Sequence, residues 1–520
     1  MIDSVQVTLL LIPSIAVTLM FFIYGYNYYY LLIANRRYSV PKPDMLPPER
    51  PSVAIHLPIY NERYVVRRLL ESCSKIAENY GKERVRIMIL DDSSDDTTKE
   101  LEEASKQYVS QGFRMEVLHR EKRIGFKAGA LQEALQRTNE EYIAVFDSDF
   151  MPGKDFLDET IPHLVSDENL GIVQCRWSYT NREYNFITKA VAIGMSAHFL
   201  VEQPGRYASG CLLNFNGSGG VIRSKALRAG GGWQPDTLAE DLDVSYRIQL
   251  NGYRIFYSRD HPVLSEITPT ITSFKRQQAR WACGSLQTAK KILPLLKQSK
   301  LDLKQKVEAF VHLTYYLVHP LLFASFLLAV VAGILNINTI GFKVTYDPVS
   351  GQSASAAIAQ MVQTAISMAV SQPLLVLAVF MLTVCFAGVW IVYVVTLRIE
   401  RSSLIKNLPS LLILGFIGFG ISISNTIQSA KALLTTRVGS FERTPKYALQ
   451  RSAGEWRDKK YQVPLNRTFY LEVAAAAIGL ITIVKSIHDM NVGLILILSF
   501  YVISYGLVAV LTLTHSGEDK

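Results

Sequence analysis

The chain has 520 residues, of which 49% are hydrophobic and only 19% charged; that balance excludes a purely soluble protein as the first expectation and calls for a membrane part beside a folded core. The net charge of +9 would suit a nucleic-acid partner, but basic loops flanking apolar spans account for it, so no nucleic acid is expected. The five cysteines are scattered without paired spacing, which argues against a disulfide framework or a zinc site.

From Ser4 to Asn35 there is no Asp, Glu, Lys or Arg, and residues 7 to 30 are long enough to cross a bilayer, which needs roughly 20 apolar residues. Basic residues are absent before this run while Arg36 and Arg37 follow it, so it is read as a retained anchor with its C-terminal end inside, not a cleaved leader. The segment 36 to 305 then has the charge density of a soluble domain and room for one large core. Within it, four apolar runs rich in branched residues, SVAIHLP (52 to 58), RIMILD (86 to 91), MEVLH (115 to 119) and YIAVFD (142 to 147), alternate with helix-like stretches at 62 to 79, 96 to 111 and 127 to 138. This alternation predicts right-handed crossovers and a largely parallel sheet, whose ligands bind at the carboxyl ends of the strands. The polar residues stand at those ends: Tyr60, Asn61 and Glu62, then Asp91 and Asp92, then Asp147 and Asp149.

Two carboxylates at i and i+2 in a turn, Asp147 and Asp149, can approach one hard cation bridging a diphosphate; an isolated pair of this kind is more simply a solvated acidic turn, and the strand-end position favours the first reading. Asp91 and Asp92 would either cap the helix near Ser94 or, if Ser93 and Ser94 cap it, stay available to a nucleotide. Lys127, in the helix-opening segment Gly125 to Ala130, fits both simple helix entry and contact with a diphosphate or ribose. Glu240 and Asp241 open another helix, where a carboxylate serves as a cap or as a general base. In Gln277-Gln278-Ala279-Arg280-Trp281 the first and fourth residues share a helix face. Arg suits phosphate and Trp offers a flat platform for a sugar ring.

Further spans are expected at about 310 to 335, 373 to 397 and 491 to 513, with a weaker one at 468 to 487 because of Glu472 and Lys485. The loop 336 to 371 has Lys343 as its one basic residue, whereas 431 to 467 carries nine Lys or Arg against three acids. Placing the second loop inside makes the Gly- and Ser-rich run 408 to 425 an interfacial or re-entrant segment. Five spans result, with the N-terminus outside and the C-terminus inside: a multi-pass cell-membrane protein with its large domain cytoplasmic. The organisation reads as an anchor (1–35), a cytoplasmic domain (36–305), a hairpin of spans (306–400), an interfacial segment with a cytoplasmic loop (401–466) and a second hairpin (467–520).

Taken in order, PIYNE (58 to 62), LDDSSDDT (90 to 97), GFKAGAL (125 to 131), FDSDF (146 to 150), FNGSGG (215 to 220), AEDLD (239 to 243) and QQARW (277 to 281) resemble the processive glycosyltransferases of family 2, nearest to the cellulose-synthase-like glucomannan and glucan synthases. The resemblance implies an α/β, Rossmann-like GT-A domain inserted in an α-helical transmembrane bundle. It implies a nucleotide-sugar donor held by Tyr60, Asn61, Glu62, Asp91, Asp92, Lys127 and Asp147, with Asp147 and Asp149 binding a divalent cation, Mg2+ or Mn2+. Asp241 would be the base, with Glu240 and Arg280 also in the catalytic group. Phe215, Asn216, Gly217, Ser218, Gln277 and Trp281 would meet a polysaccharide acceptor. Phe441, Thr444 and Lys446 match the FxVTxK gating loop of cellulose synthases, although Arg443 replaces its Val, and Ala239 stands where many relatives have Thr or Val. The implied activity is inverting transfer of a hexose from GDP-mannose or UDP-glucose onto a growing β-linked chain, with (1→4) linkage and translocation through the spans. The alternative is a non-processive enzyme making a glycolipid, as in ceramide glucosyltransferase relatives. A scaffold with a decayed catalytic domain is disfavoured because every expected carboxylate is present. The sequence carries no signal for oligomeric state.

Overall fold

The computed structural model describes residues 4–41, 46–336, 363, 373–435, 439, 442–451, 453–457 and 459–517. Phe441 and most of the loop expected at 336 to 371 lie outside the described residues.

The soluble domain is built on a seven-stranded sheet of order β3-β2-β1-β4-β6-β5-β7, with β1 at Val53–Ile59, β2 at Val85–Asp91, β3 at Arg114–His119, β4 at Tyr142–Val145, β5 at Leu170–Tyr179, β6 at Gly220–Arg223 and β7 at Arg254–Ser265. The first four strands pair in parallel and match the expected runs to within a few residues. Three strands were not expected. β6 has four residues, too few to show a period, and it runs antiparallel to both β4 and β5. β5 and β7 are parallel to each other and carry Arg176, Arg259, Asp260 and His261, which obscure an apolar run.

Both faces of the sheet are covered, so its strands alternate between two cores rather than between core and solvent. Val53, Ile55, Leu57 and Ile59 of β1 join Leu69, Leu70, Leu101 and Ile161 on one face; Ala54, with Val145 and Ile222, faces Leu131, Leu227, Val244 and Ile248 on the other. The register pairs Ile59 with Asp91 and Asp91 with His119, while His56 pairs with Val145. The polar residues after β1, β2 and β4 therefore emerge on one edge.

Among the described residues five helices are long and apolar enough to cross a membrane: Leu10–Asn35, Leu303–Ile334, Val376–Ile399, Thr468–His488 and Val492–His515. The protein is a multi-pass membrane protein in this sense. The ambiguous run is a pair of helices, Leu404–Gly420 and Ser422–Leu434, bent by 44°; taken as one unit it would add a sixth span. Gly420 is required at the bend, since a Cβ there would stand 2.5 Å from the Ser504 carbonyl oxygen.

The helix Ile271–Gln298 joins the two parts. Its Phe274 packs with Ile417, Ile421 and Val508, and Cys283 and Leu286 pack on Ala432. Its Lys275 ammonium lies 2.6 Å from the carboxylate of Glu472, both side chains being almost completely buried. The acid that weakened the sequence signal of the span 468 to 488 is thus neutralised by the soluble domain. Removing one partner of such a pair strands a buried charge and costs about 3–5 kcal/mol. Glu472→Ala is therefore expected to lower the thermal unfolding temperature in detergent sharply, whereas the double variant Lys275→Met, Glu472→Leu recovers most of the loss.

Candidate active site

The strand-end residues divide into two groups. Asn61, at positive φ, clasps the loop after β2: its N–H donates to Ser93 Oγ at 2.9 Å and its Oδ1 accepts from the Ser94 N–H at 2.8 Å. Ser93 and Ser94 consequently do not cap the following helix, which opens at Thr97 behind Asp96. Asp91 is fully buried and accepts from the Ser93 N–H (3.0 Å) and the Thr98 hydroxyl (2.7 Å), with His119 Nδ1 at 2.8 Å; its carboxylate is committed to the protein. Tyr60, Glu62, Asp92, Asp147 and Asp149, in contrast, line a cavity of about 530 Å3 together with Lys127, Glu240, Asp241, Gln277, Arg280 and Trp281.

The carboxylates of this cavity are matched by cations from separate elements. Arg120 donates twice to Asp92, at 2.6 Å each, and the guanidinium of Arg123 lies 3.5 Å from the centre of the Tyr60 ring. Lys127 reaches Asp147 Oδ1 at 2.5 Å, the Gly217 carbonyl at 3.0 Å and Glu240 at 3.6 Å. Burial pushes its ammonium down, and Asp147, Glu240 and Asp241 more than offset this, so it is held charged above the ordinary lysine range. Arg280 lines the same cavity and is drawn down by burial, against the opposing pull of Glu240, Asp147 and Asp241.

Asp241 stands in the first turn of the helix Glu240–Leu250. Its carboxyl is pushed up to about 7, by enclosure first and by repulsion from Glu240 second, with Lys127 pulling the other way. Gly217, at φ +79, lies directly against it: a Cβ there would sit 2.8 Å from Asp241 Oδ2. The neighbouring Ser218 hydroxyl accepts from the Asp147 N–H at 2.9 Å, which fixes the acidic turn to the FNGS loop. Phe215 is placed elsewhere: its ring is fully buried among Leu213, Ile222 and Trp233 in the core and is not part of the cavity wall.

The loop 442 to 449 docks into the same cavity. Lys446 donates to Asp149 Oδ2 at 2.8 Å and to the Glu266 carbonyl at 2.7 Å; Thr444 also lines the space. Glu266, at the end of β7, accepts from the N–H groups of Tyr447 (2.8 Å) and Leu449 (3.1 Å) and pairs with Arg68 at 3.0 Å. Arg443 pairs with Glu62 at 3.3 Å and lies 3.8 Å from the centre of the Tyr461 ring. Burial raises Glu62 to about 8 against this partner. Arg120, Arg123 and Glu266 escaped the sequence reading, although all three sit just past strands; Glu266 was hidden because β7 itself was not recognised.

Beyond Trp281 and Arg280 the cavity continues among the apolar helices, where Tyr28, Tyr315, Tyr316, His319 and Tyr393 line it. Among the described residues no group of three or more His, Cys, Asp or Glu is arranged to hold a metal ion. Asp147 and Asp149 fit a cation bound chiefly by substrate, since Mg2+ in phosphate sites takes one or two carboxylates and fills its shell with phosphate oxygens and water. The contacts of Asp147 with Lys127 and of Asp149 with Lys446 use one oxygen of each carboxylate, leaving the other to such an ion.

Two family models match the chain: one described as glycosyl transferase family 2 over residues 54–214, and one as glycosyl transferase family group 2 over residues 142–397. Glucomannan 4-beta-mannosyltransferase 2 of Arabidopsis thaliana is 34% identical over 262 residues, 49% of this chain and 49% of that protein. Probable glucomannan 4-beta-mannosyltransferase 9 of Oryza sativa subsp. japonica is 34% identical over 295 residues, 55% of each chain. The chain thus spans about half the length of the curated relatives it matches. Among solved structures, a mannosyltransferase from Pyrobaculum calidifontis in complex with GDP-Man and Mn2+ matches with a TM-score of 0.47 and 20% identity, covering 73% of this chain and 99% of that one.

Because Lys446 occupies an oxygen of Asp149, its removal frees a carboxylate for a cation. Lys446→Met should tighten Mn2+ binding without nucleotide by roughly tenfold or more, read by electron paramagnetic resonance of the free ion.

Proposed function

The chain belongs to glycosyltransferase family 2, on its cellulose-synthase-like side, and from there we propose that it transfers a hexose from a nucleotide sugar, with inversion, to the end of a β-linked polysaccharide and passes the product through its own helices. One observation carries this reading: a single cavity joins the carboxylate cluster at the strand ends to tyrosines of helices apolar enough to span a bilayer. The distribution of basic loops supports a cytoplasmic catalytic domain, and the names of the relatives favour a mannosyl donor and a (1→4) linkage.

In this mechanism the acceptor hydroxyl loses its proton to Asp241 as its oxygen bonds to the anomeric carbon and the bond to the diphosphate breaks; an α-linked donor gives a β-glycoside. Asp147 and Asp149 would hold a divalent cation, which when bound would supply charge neutralisation at the diphosphate. Lys127, paired with Asp147 and Glu240, and Arg280 in the same cavity wall stabilise the negative charge that grows on the leaving group. Gln277 and Trp281 line the acceptor side, and the loop bearing Thr444 and Lys446 closes over the donor.

Asp241 must be ionised to accept a proton. With its carboxyl pushed up to about 7, kcat/KM is expected to rise with pH through that region and level off above it. Lys127→Met removes a cation that lowers this value, so the rising limb shifts to higher pH.

Asp241→Asn, Asp149→Ala and Arg280→Ala are each expected to cut turnover by a factor of about 100 to 10,000. The decisive assay incubates the purified protein in proteoliposomes with radiolabelled GDP-mannose or UDP-glucose and Mn2+ or Mg2+, then sizes the product. A long chain sensitive to a linkage-specific hydrolase is expected. A short, lipid-soluble glycoside would overturn the polymer reading, and no turnover of either donor would overturn the transferase reading.

A further inference from the structure

Between the helices Phe186–Ala197 and Gln203–Ala208 runs a π-helical turn, His198–Glu202, closed by the Gln203 N–H on the His198 carbonyl. Such turns are rare and concentrate at functional sites. Here the turn sends Phe199, Leu200 and Val201 into buried positions and sets His198 and Glu202 in the cavity wall. Neither has a part in the transfer mechanism above.

A chain of amides fixes what this wall offers. The backbone carbonyl of Asn214 accepts from Gln203 Nε2 at 2.9 Å, which sets the orientation of that amide. The same nitrogen donates to Asn214 Oδ1 at 3.0 Å, so Asn214 must present Nδ2 to Asn216, where it donates to Oδ1 at 2.7 Å. His198 Nε2 meets the same oxygen at 3.1 Å. Asn216 Nδ2 is thereby turned away from these partners and is buried with none of its own. A buried donor without a partner is costly unless a ligand completes it. Asn216 lines the cavity and directly precedes Gly217, which lies against Asp241.

Glu202 supplies the complementary group. Its Oε2 faces His198 Nδ1 at 3.4 Å and Arg206 at 3.4 Å, while Arg206 makes its short contact, 2.6 Å, with Glu308. These contacts leave Glu202 Oε1 unused. A fixed amide donor and a carboxylate acceptor on one wall match the hydroxyls of a pyranose, each of which both donates and accepts.

We propose that Glu202 belongs to the subsite for the hexopyranose whose hydroxyl is to be extended, its carboxylate accepting from the sugar's hydroxyls beside the Nδ2 donor of Asn216, a residue that the family pattern already directs to the acceptor, and that His198 is the positioning residue for both. The identity of the ligand as a sugar rests on the transferase reading.

The test uses the full chain in detergent, titrated calorimetrically with β-(1→4)-mannohexaose, with GDP plus Mn2+ as a second ligand. Glu202→Gln should weaken hexaose binding by roughly ten- to a hundredfold, the range of a hydrogen bond to a charged group, and His198→Ala by roughly tenfold, with His198→Gln restoring most of it through an amide donor. Nucleotide affinity should stay within about twofold in each variant, as for a group that touches only the other ligand. Unchanged hexaose binding in Glu202→Gln and His198→Ala, no hexaose binding by the unaltered protein, or parallel loss of both ligands would overturn the subsite. Glu202-dependent hexaose binding by a protein that turns over no nucleotide sugar would support the subsite and sink the transferase reading instead.

Discussion

The structure depends on the crowding of carboxylates at one edge of a sheet. Glu62, Asp92, Asp147, Asp149, Glu240, Asp241 and Glu266 surround a single cavity, and like charges so enclosed cannot all ionise unless cations approach them. Those cations come from elements that would otherwise have little reason to meet: Arg120 and Arg123 after β3, Lys127 at a helix entrance, Arg280 on the long helix, Arg443 and Lys446 on the loop 442 to 449. Charge balance therefore assembles the site as well as equipping it. A charged ligand entering the cavity must redistribute these partners, and the loop, held through Glu62, Asp149 and Glu266, is the element with the most of them to exchange.

The helix Ile271–Gln298 does for the membrane part what the cations do for the sheet edge. Over a few residues it offers Phe274 to the bent helix pair, Lys275 to the buried Glu472, and Gln277, Arg280 and Trp281 to the cavity. At 3.6 residues per turn Phe274, Gln277, Arg280 and Trp281 share one broad face, which lines the cavity, while Lys275 projects to the side of it, so one rigid element fixes the reactive edge of the sheet relative to the spans. The cavity that it lines reaches from carboxylates to tyrosines.

Arg443 shows how a departure from a family pattern acquires meaning. As a letter in a motif it only differs from Val. In the fold its guanidinium meets the buried Glu62 and lies over Tyr461, whose hydroxyl bonds to Asp95. A Val there would leave Glu62 without this partner, and the loop would lose one of its ties to the strand ends.

The sequence by itself determined the four leading strands, the alternation that makes them parallel, the five apolar helices and the edge where polar residues gather, because period, length and hydropathy are local properties. It could not determine which of those residues face a ligand. Asp91 and Asp147 follow equivalent strands, yet Asp91 is consumed by Thr98 and by His119, 28 residues away, while Asp147 lines the cavity. Phe215 sits in a loop motif and its ring belongs to the core; Asp149 meets Lys446 across 297 residues. Whether a buried polar group is spent on the protein or kept for a substrate depends on partners brought close by folding, and hydrogen bonds and ion pairs reach only a few ångströms. That decision belonged to the tertiary structure alone.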